Sequence, residues 1–258
     1  DSSGQSGFIA NRLKLKQTDP VLRKGTVWAH FKNAQRDPGI DEGATLILQT
    51  EGKRSWFWYI PLPDNVVSIG CTGDMNYMFS KERGNSEEIF FQEVERCIGI
   101  KRRLSEAQPV TEFMTTKDFS YHSSQPAGPG WMLAGDALGF IDPVYSSGVF
   151  LAMKSGELIA EAINEAYETN DFSVERLSQW YPGYKEGVDN FRKLVYAFYT
   201  PGFSFGNFLR QYPQFKSNLV DILIGDVFKP EVAEMFTVMQ EEIPELADTD
   251  DSPVTMKK

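Results

Sequence analysis

The stretch over residues 131–162, WMLAGDALGFIDPVYSSGVFLAMKSGELIAEA, constrains the fold of this chain more than any other. Its apolar start, 131–134, predicts a short buried strand that the following Gly-Asp pair ends. An Asp-Pro pair cannot continue a helix, and Ser-Ser-Gly predicts a turn into a helix that runs from Val149. Small and apolar residues at helical spacing predict a closely packed face of Ala152, Ser155, Gly156, Ile159, Ala160 and Ile163.

A strand, a loop and a helix start in this order make a site with a definite chemistry. The first N–H groups of a helix have no intrahelical acceptor, and the helix dipole adds positive potential, so such a site suits an anion or a polar ring edge. Asp136, at the carboxyl end of the strand, is placed to accept hydrogen bonds from sugar-like hydroxyl groups. An ordinary strand-turn-helix unit without a ligand is the alternative interpretation.

The same stretch resembles the second FAD fingerprint of the p-hydroxybenzoate-hydroxylase-like flavoproteins, through its Gly-Asp-Ala, Asp-Pro and Ser-Ser-Gly groups. Within that class, FIDPVYSSGVFLA is most similar to flavin-dependent, tryptophan-halogenase-like enzymes. The resemblance implies FAD as the cofactor, with Asp136 on its ribityl chain and the amides of Ser147 and Gly148 beside a halide. The implied cofactor-binding residues are Gly135, Asp136, Ala137, Pro143, Gly148, Val149 and Phe150.

A second motif, over residues 56–61, reads Trp-Phe-Trp-Tyr-Ile-Pro and resembles the W-x-W-x-I-P motif of flavin-dependent halogenases. In strand geometry the two tryptophans and the isoleucine share one face, while Phe57 and Tyr59 share the other. Aromatic residues also fill the cores of sheets, so a purely structural role is the alternative. The resemblance implies a wall between flavin and substrate, formed by Trp56, Trp58, Ile60, Pro61 and Tyr145.

The resemblance implies an FAD-dependent oxidoreductase that uses reduced FAD, oxygen and halide to halogenate an electron-rich aromatic small molecule. Tyr145 stands where tryptophan halogenases carry a glutamate, which favours a phenol- or pyrrole-like substrate. A separate flavin reductase is the implied partner. The family's lysine that meets the oxidant cannot be assigned to a residue here, so the catalytic residue stays unassigned and is expected upstream of this chain.

Other activities share the same FAD site. Residues 152–157, Ala-Met-Lys-Ser-Gly-Glu, resemble geranylgeranyl-reductase-like flavoproteins, which reduce isoprenoid double bonds. A flavin monooxygenase and a non-catalytic relative are the remaining alternatives. The chain contains no GxGxxG and opens on Asp-Ser-Ser-Gly without a methionine. We therefore expect a carboxyl-terminal part of a longer protein, inactive by itself.

The expected fold class is α+β or α/β: the remainder of a Rossmann-like FAD domain, an antiparallel substrate-domain sheet and a helical carboxyl-terminal region. The expected segments are 1–24 (the end of the FAD-binding half and a connector), 25–111 (the sheet), 112–168 (the second part of the FAD domain) and 169–258 (the helices). Apolar alternation and turn residues predict strands at 26–32, 45–50, 55–62, 66–72 and 112–121. Helical spacing predicts helices at 86–97 with Ser86 as N-cap, at 174–199 with a break at Pro182-Gly183, at 219–227 and at 231–239, with a loop at 203–208.

Charge and composition narrow the functional classes. With 26 basic and 36 acidic residues the net charge is −10, and no basic patch stands out, which argues against nucleic-acid binding. Part of the acidity lies in a tail at 241–251, expected to be solvated. Two separated cysteines and two histidines predict free thiols, no metal site and a reducing, cytoplasmic location. No apolar run predicts a transmembrane segment, and no signal peptide opens the chain.

Overall fold

The computed structural model describes residues 1–244 and residue 246. Its strands are β1 (Lys16–Thr18), β2 (Lys24–Lys32), β3 (Leu46–Gln49), β4 (Ser55–Leu62), β5 (Val66–Asp74), β6 (Gln108–Pro109), β7 (Met114–Lys117), β8 (Tyr121–Ser123), β9 (Ala127–Gly128), β10 (Trp131–Met132) and β11 (Gly139–Phe140). Its α-helices are α1 (Phe8–Arg12), α2 (Met75–Met78), α3 (Ser86–Val94), α4 (Ile98–Arg103), α5 (Gly148–Thr169), α6 (Val174–Leu177), α7 (Tyr181–Tyr199), α8 (Phe205–Gln211), α9 (Lys216–Leu223) and α10 (Pro230–Glu242).

The chain divides into two compact units. The sheet unit is Pro20–Phe119, and the turn-helix unit joins Asp1–Asp19 to the part of the chain from Ser120 onward. Both contain strands and helices, and the strand pairs of the described residues are antiparallel. The predicted mixture of helices with an antiparallel sheet is therefore confirmed. The four predicted segments, 1–24, 25–111, 112–168 and 169–258, stay a prediction.

The sheet unit buries one face of its sheet beneath helices. The strand order is β3-β4-β5-β2-β6, and β7 also pairs with β2. Because successive residues of a strand point to opposite faces, one face of β2, β4 and β5 is largely apolar. That face packs with α3 and α4 in a core that includes Val27, Ala29, Phe31, Phe57, Tyr59, Val67, Ile69, Cys71, Ile89, Phe90, Val94 and Ile100.

Helix α3 begins and ends differently from the prediction. Its N-cap is Asn85, not Ser86: the Asn85 side chain accepts the Glu88 N–H at 3.0 Å, and the Glu88 carboxylate accepts the Asn85 N–H at 2.7 Å. This reciprocal capping box satisfies two otherwise orphaned donors, which Ser86 one position later could not do. The helix ends at Val94, so the predicted single helix over 86–97 is shorter, and the separate α4 follows it.

In the turn-helix unit, β1, β8 and β11 form one small sheet, and β9 pairs with β10. The strand predicted over 131–134 is shorter than expected, since only Trp131–Met132 pair, with β9. The strand predicted over 112–121 is two strands, β7 and β8, because Asp118 between them adopts a left-handed conformation with φ of 53°. Positive φ is incompatible with continuous strand geometry.

The long helix α5 starts at Gly148 and ends before Asn170, which is left-handed with φ of 50°, as expected of a helix C-terminus. Its buried residues are Leu151, Ser155, Ala162 and Ala166. The predicted close-packed face is partly wrong: Ser155 is buried and Ala152 and Ile159 are partly buried, whereas Gly156, Ala160 and Ile163 are exposed. The buried face of α5 is the one that packs against the turn at Gly135 and helix α6.

The carboxyl-terminal helices also differ from the prediction. Pro182 does not interrupt a helix: it lies in the first turn of α7, where proline's missing N–H costs no hydrogen bond. The predicted loop at 203–208 was wrong, because Ser204 caps helix α8 through a hydrogen bond from Asn207 N. The helices predicted at 219–227 and 231–239 are α9 and α10.

Of the predicted acidic tail, Glu241 and Glu242 end helix α10. Residue 245 and residues 247–251 of that tail lie outside the described residues. Within the described part of the chain, no helix has both the length and the apolar character needed to cross a bilayer. Cys71 and Cys97 are buried free thiols, as predicted.

Candidate functional site

A cleft in the turn-helix unit brings three chain segments together. They are the Gly-Asp turn after β10, the segment around β11 and the start of α5. The lining residues are Gly135, Asp136, Gly139, Phe140, Ile141, Asp142, Ser147, Gly148, Leu151 and Ala152. The cleft is therefore built entirely within residues 131–162.

The turn can approach α5 closely because residue 135 is glycine. Gly135 has a φ of +56°, a left-handed conformation that glycine adopts without steric cost. A Cβ atom added at this position would lie 3.0 Å from the Cβ of Ala152 on α5. Both the backbone angle and the space therefore require glycine at residue 135.

Asp136 presents a carboxylate to this cleft. It is half-buried, and within the described residues its side chain has no hydrogen-bond or ion-pair partner. Burial raises the pKa of Asp136 above its usual value because desolvation disfavours the charged form. A desolvated carboxylate without donors gains more than an exposed one when a ligand supplies hydroxyl groups.

The start of α5 supplies donors on the same cleft. Ser146, with a φ of 54°, turns the chain into the helix, and the N–H groups of the first turn have no intrahelical acceptor. The loop before it is fixed by Asp142, whose buried carboxylate accepts the Val144 N–H at 2.9 Å and the Tyr199 hydroxyl at 3.1 Å. The cleft thus combines an acceptor, Asp136, with the positive end of a 22-residue helix.

The structure brings together part of the predicted site. Gly135, Asp136, Ser147 and Gly148 line the cleft, whereas Ala137, Pro143, Val149 and Phe150 do not. Phe150 packs against Phe191 and Phe228, and the predicted wall residue Tyr145 packs against Phe198. Val149 is 74% exposed.

Sequence reasoning missed the aromatic residue that holds the loop. Tyr199 reaches Asp142 from the end of α7, 57 residues further along the chain. No local pattern signals a contact of that separation. Helical spacing did predict the element that carries the tyrosine, but not its partner.

A second cavity shares the wall of residues 139–141 and Leu151 with the cleft. Its volume is about 40 Å³. One end carries an ion network in which Asp189 pairs with Lys185 and with Arg192, the latter at 2.6 Å. Burial first, and then the nearby Arg192, lower the pKa of His122 at this end. The charges of this network pair with one another, which indicates a structural role.

The tryptophan motif lies in the sheet unit, on β4. Phe57 and Tyr59 belong to the buried core, as the predicted alternation requires. Trp58 packs against Trp56 and Trp28, with ring centroids 6.1 and 6.4 Å away. Its indole N–H donates to Ser68 at 3.2 Å, and an added Cβ at Gly70 would overlap its ring. Trp58 is therefore held flat across the sheet, and its role as a wall stays a prediction.

The cleft fits the acceptor and donor pattern of FAD. An unpaired carboxylate matches ribityl hydroxyl groups, and amides at a helix N-terminus match a pyrimidine edge or an anion. Within residues 1–244, no group of three or more His, Cys, Asp or Glu side chains is arranged to hold a metal ion.

Comparison with known proteins agrees with this chemistry. Residues 44–202, more than half of the chain, match the family model for tryptophan halogenases. A 1H-pyrrole-2-carbonyl-[peptidyl-carrier protein] chlorinase from Pseudomonas fluorescens is 28% identical over 93% of this chain and 54% of its own length. Sulochrin halogenase from Aspergillus terreus is 31% identical over 76% of this chain and 37% of its own length.

Solved structures give the same result. The flavin-dependent brominase Bmp2 superposes with a TM-score of 0.84 at 26% identity, covering 96% of this chain and 62% of that one. The flavin-dependent halogenase CmlS superposes with a TM-score of 0.72 at 25% identity, over 86% of this chain and 43% of that one. The chain therefore spans between a third and two thirds of the length of these relatives.

Proposed function

Because the chain belongs to the tryptophan halogenase family, we propose that its protein is an FAD-dependent oxidoreductase that halogenates an electron-rich ring. One turnover consumes reduced FAD, O₂, a halide, a proton and the ring's C–H. It yields oxidised FAD, the carbon–halogen product and two water molecules. The observation that carries this proposal is the half-buried, unpaired Asp136 carboxylate beside a helix N-terminus in one cleft.

FAD, when bound, supplies the two electrons that reduce O₂ and so generate the oxidant for the halide. The chain's own residues bind the cofactor and the halide and orient them. Asp136 accepts hydrogen bonds from the ribityl hydroxyls, and the first amides of α5, from Gly148 onward, face the pyrimidine edge. Ser147 and Gly148 hold the halide through backbone N–H groups, which a helix N-terminus favours electrostatically. Ala137, Pro143, Val149 and Phe150 do not line the cleft, and in this proposal they shape the backbone around these groups.

The proposed substrate is a phenol- or pyrrole-like ring, because Tyr145 takes the position of the glutamate of tryptophan halogenases. Relatives named for a carrier-bound pyrrole and for sulochrin support both ring types. Trp56, Trp58, Ile60, Pro61 and Tyr145 separate substrate from flavin in this proposal. A separate flavin reductase supplies reduced FAD, and the location is cytoplasmic. Residues 25–111 then serve as the substrate domain and 112–168 as part of the FAD domain.

Replacing Asp136 by alanine in the whole natural polypeptide tests this proposal. Loss of hydrogen bonds to a charged acceptor costs about 1.5–3 kcal/mol, which corresponds to a roughly 10- to 150-fold higher Kd for FAD. Isothermal titration or fluorescence quenching measures that constant. Asp41→Ala, at an exposed aspartate of the sheet unit, is the matched control and should leave it unchanged. A folded Asp136→Ala protein that binds FAD as tightly as the unmodified one would refute the assignment.

A further inference from the structure

The Gly135–Asp136 turn is held from two sides by side chains of other elements. The Tyr121 hydroxyl, from β8, donates to the Asp136 carbonyl at 2.6 Å. The Ser155 hydroxyl, from α5, accepts the Gly135 N–H at 2.9 Å and donates to the Ala152 carbonyl, also at 2.9 Å. The turn's polar backbone is thus tied to a strand on one side and to a helix on the other.

The hydrogen bonds of Tyr121 and Ser155, called here the two clamps, join the backbone of the turn and leave the Asp136 carboxylate free. Tyr121 and Ser155 are both buried, so neither hydrogen bond is exchanged easily for water. The close approach of Gly135 to Ala152 removes the remaining freedom of the turn. Gly135 has no side chain, so the Asp136 carboxylate is the polar side-chain group of the turn. Among the described residues it has no partner, and it faces the cleft.

The tyrosine is suited to be a permanent donor. Lys16 places its ammonium 3.5 Å from the centre of the Tyr121 ring, a cation–π contact that stabilises the position of the ring. Burial, and then the nearby Asp136, raise the pKa of Tyr121 to about 12. The hydroxyl therefore keeps its proton, and with it the hydrogen bond, at neutral pH.

We propose that Tyr121 and Ser155 are positioning residues that preset the Asp136 carboxylate for FAD. This inference rests on the proposed function, because it takes FAD as the ligand of Asp136. Tyr121 and Ser155 themselves make no contact with the cofactor in it. A turn that is ordered before binding does not have to lose conformational freedom when the ribityl chain arrives, so the affinity is higher than that of a mobile turn with the same carboxylate. Both residues then act on FAD affinity only through Asp136.

Tyr121→Phe removes one hydroxyl and leaves the ring in place. In the whole natural polypeptide we expect the Kd for FAD to rise about fivefold to tenfold, and Ser155→Ala to act in the same direction. Tyr59→Phe is the matched control, because the Tyr59 hydroxyl also donates to a backbone carbonyl, that of Gln35, at 2.7 Å. It should lower the melting temperature similarly and leave the Kd for FAD unchanged.

The decisive readout is whether the effects of Tyr121→Phe and Asp136→Ala on the Kd for FAD are additive. In an Asp136→Ala background, Tyr121→Phe should change the Kd for FAD by less than about twofold, because its effect is transmitted through the missing carboxylate. A merely structural tyrosine would weaken binding by the same factor in both backgrounds, and that result overturns the inference. So does an unchanged Kd in both Tyr121→Phe and Ser155→Ala while Asp136→Ala weakens binding. If Asp136→Ala itself leaves the Kd unchanged, the proposed function fails instead.

Discussion

At the scale of single residues, the site depends on one carboxylate that the fold leaves unsatisfied. Proteins rarely bury an acidic side chain without a donor, because the desolvation free energy is not recovered. Asp136 is in that situation, whereas the neighbouring Asp142 has the Val144 amide and the Tyr199 hydroxyl as donors. Two aspartates six residues apart therefore have different roles: Asp142 holds the loop, and Asp136 is available to a ligand.

This environment predicts a pH dependence of flavin binding. Because burial raises the pKa of Asp136, its carboxyl takes up a proton at a higher pH than an exposed aspartate does. The Kd for FAD should be constant at higher pH and should rise as the pH falls through that raised pKa, since a protonated carboxyl accepts fewer hydrogen bonds. Fluorescence titrations from about pH 7 down to about pH 4 would follow this loss.

Asp136→Asn is the control for that profile. It should bind FAD more weakly and without this pH dependence. The same burial disfavours the ionised carboxyl in the flavin-free fold, so the substitution should not lower the melting temperature at neutral pH. If the variant keeps the pH profile of the unmodified protein, another group is responsible for it.

At the scale of elements, the unit that carries the site is a strand, a turn and a helix, and its sequence pattern identified it. The glycine at 135, the Asp-Pro pair and the Ser-Ser-Gly start each require a particular backbone, so they were readable without a structure. The clamps by Tyr121, Ser155 and Tyr199 were not, because they join residues that lie 15, 20 and 57 positions from their partners. The buried face of α5 could not be predicted from spacing because tertiary contacts determine it. The cap of α3 was missed because Asn85 makes a reciprocal pair of hydrogen bonds with Glu88.

The tryptophan strand β4 offers a test at the same scale. Trp58→Ala should lower the yield of halogenated product relative to released peroxide or direct oxygenation, if the ring keeps substrate from the flavin. Phe57→Ala is the matched control, because Phe57 lies on the opposite face and is fully buried in the core. Truncating a buried aromatic residue costs about 3–5 kcal/mol of stability. We expect Phe57→Ala to reduce all activities together, and a Trp58→Ala protein that does only the same would leave Trp58 as a core residue.

At the scale of the whole molecule, the family and the architecture agree. The chain covers 54% of the length of the chlorinase relative and 62% of the Bmp2 chain. No GxGxxG lies within its 258 residues.

The proposed activity is the oxidation of a halide by oxygen and reduced flavin, followed by halogenation of an aromatic ring. The most direct measurement supplies the whole natural polypeptide with reduced FAD, oxygen and an electron-rich phenol or pyrrole, and follows product mass in halide-free, chloride and bromide buffers. We expect no ring product without halide, and a ring product that carries the supplied halogen in chloride, in bromide or in both. A hydroxylated or reduced product that forms equally in all three buffers would contradict this expectation and would identify a monooxygenase or a reductase on the same flavin site.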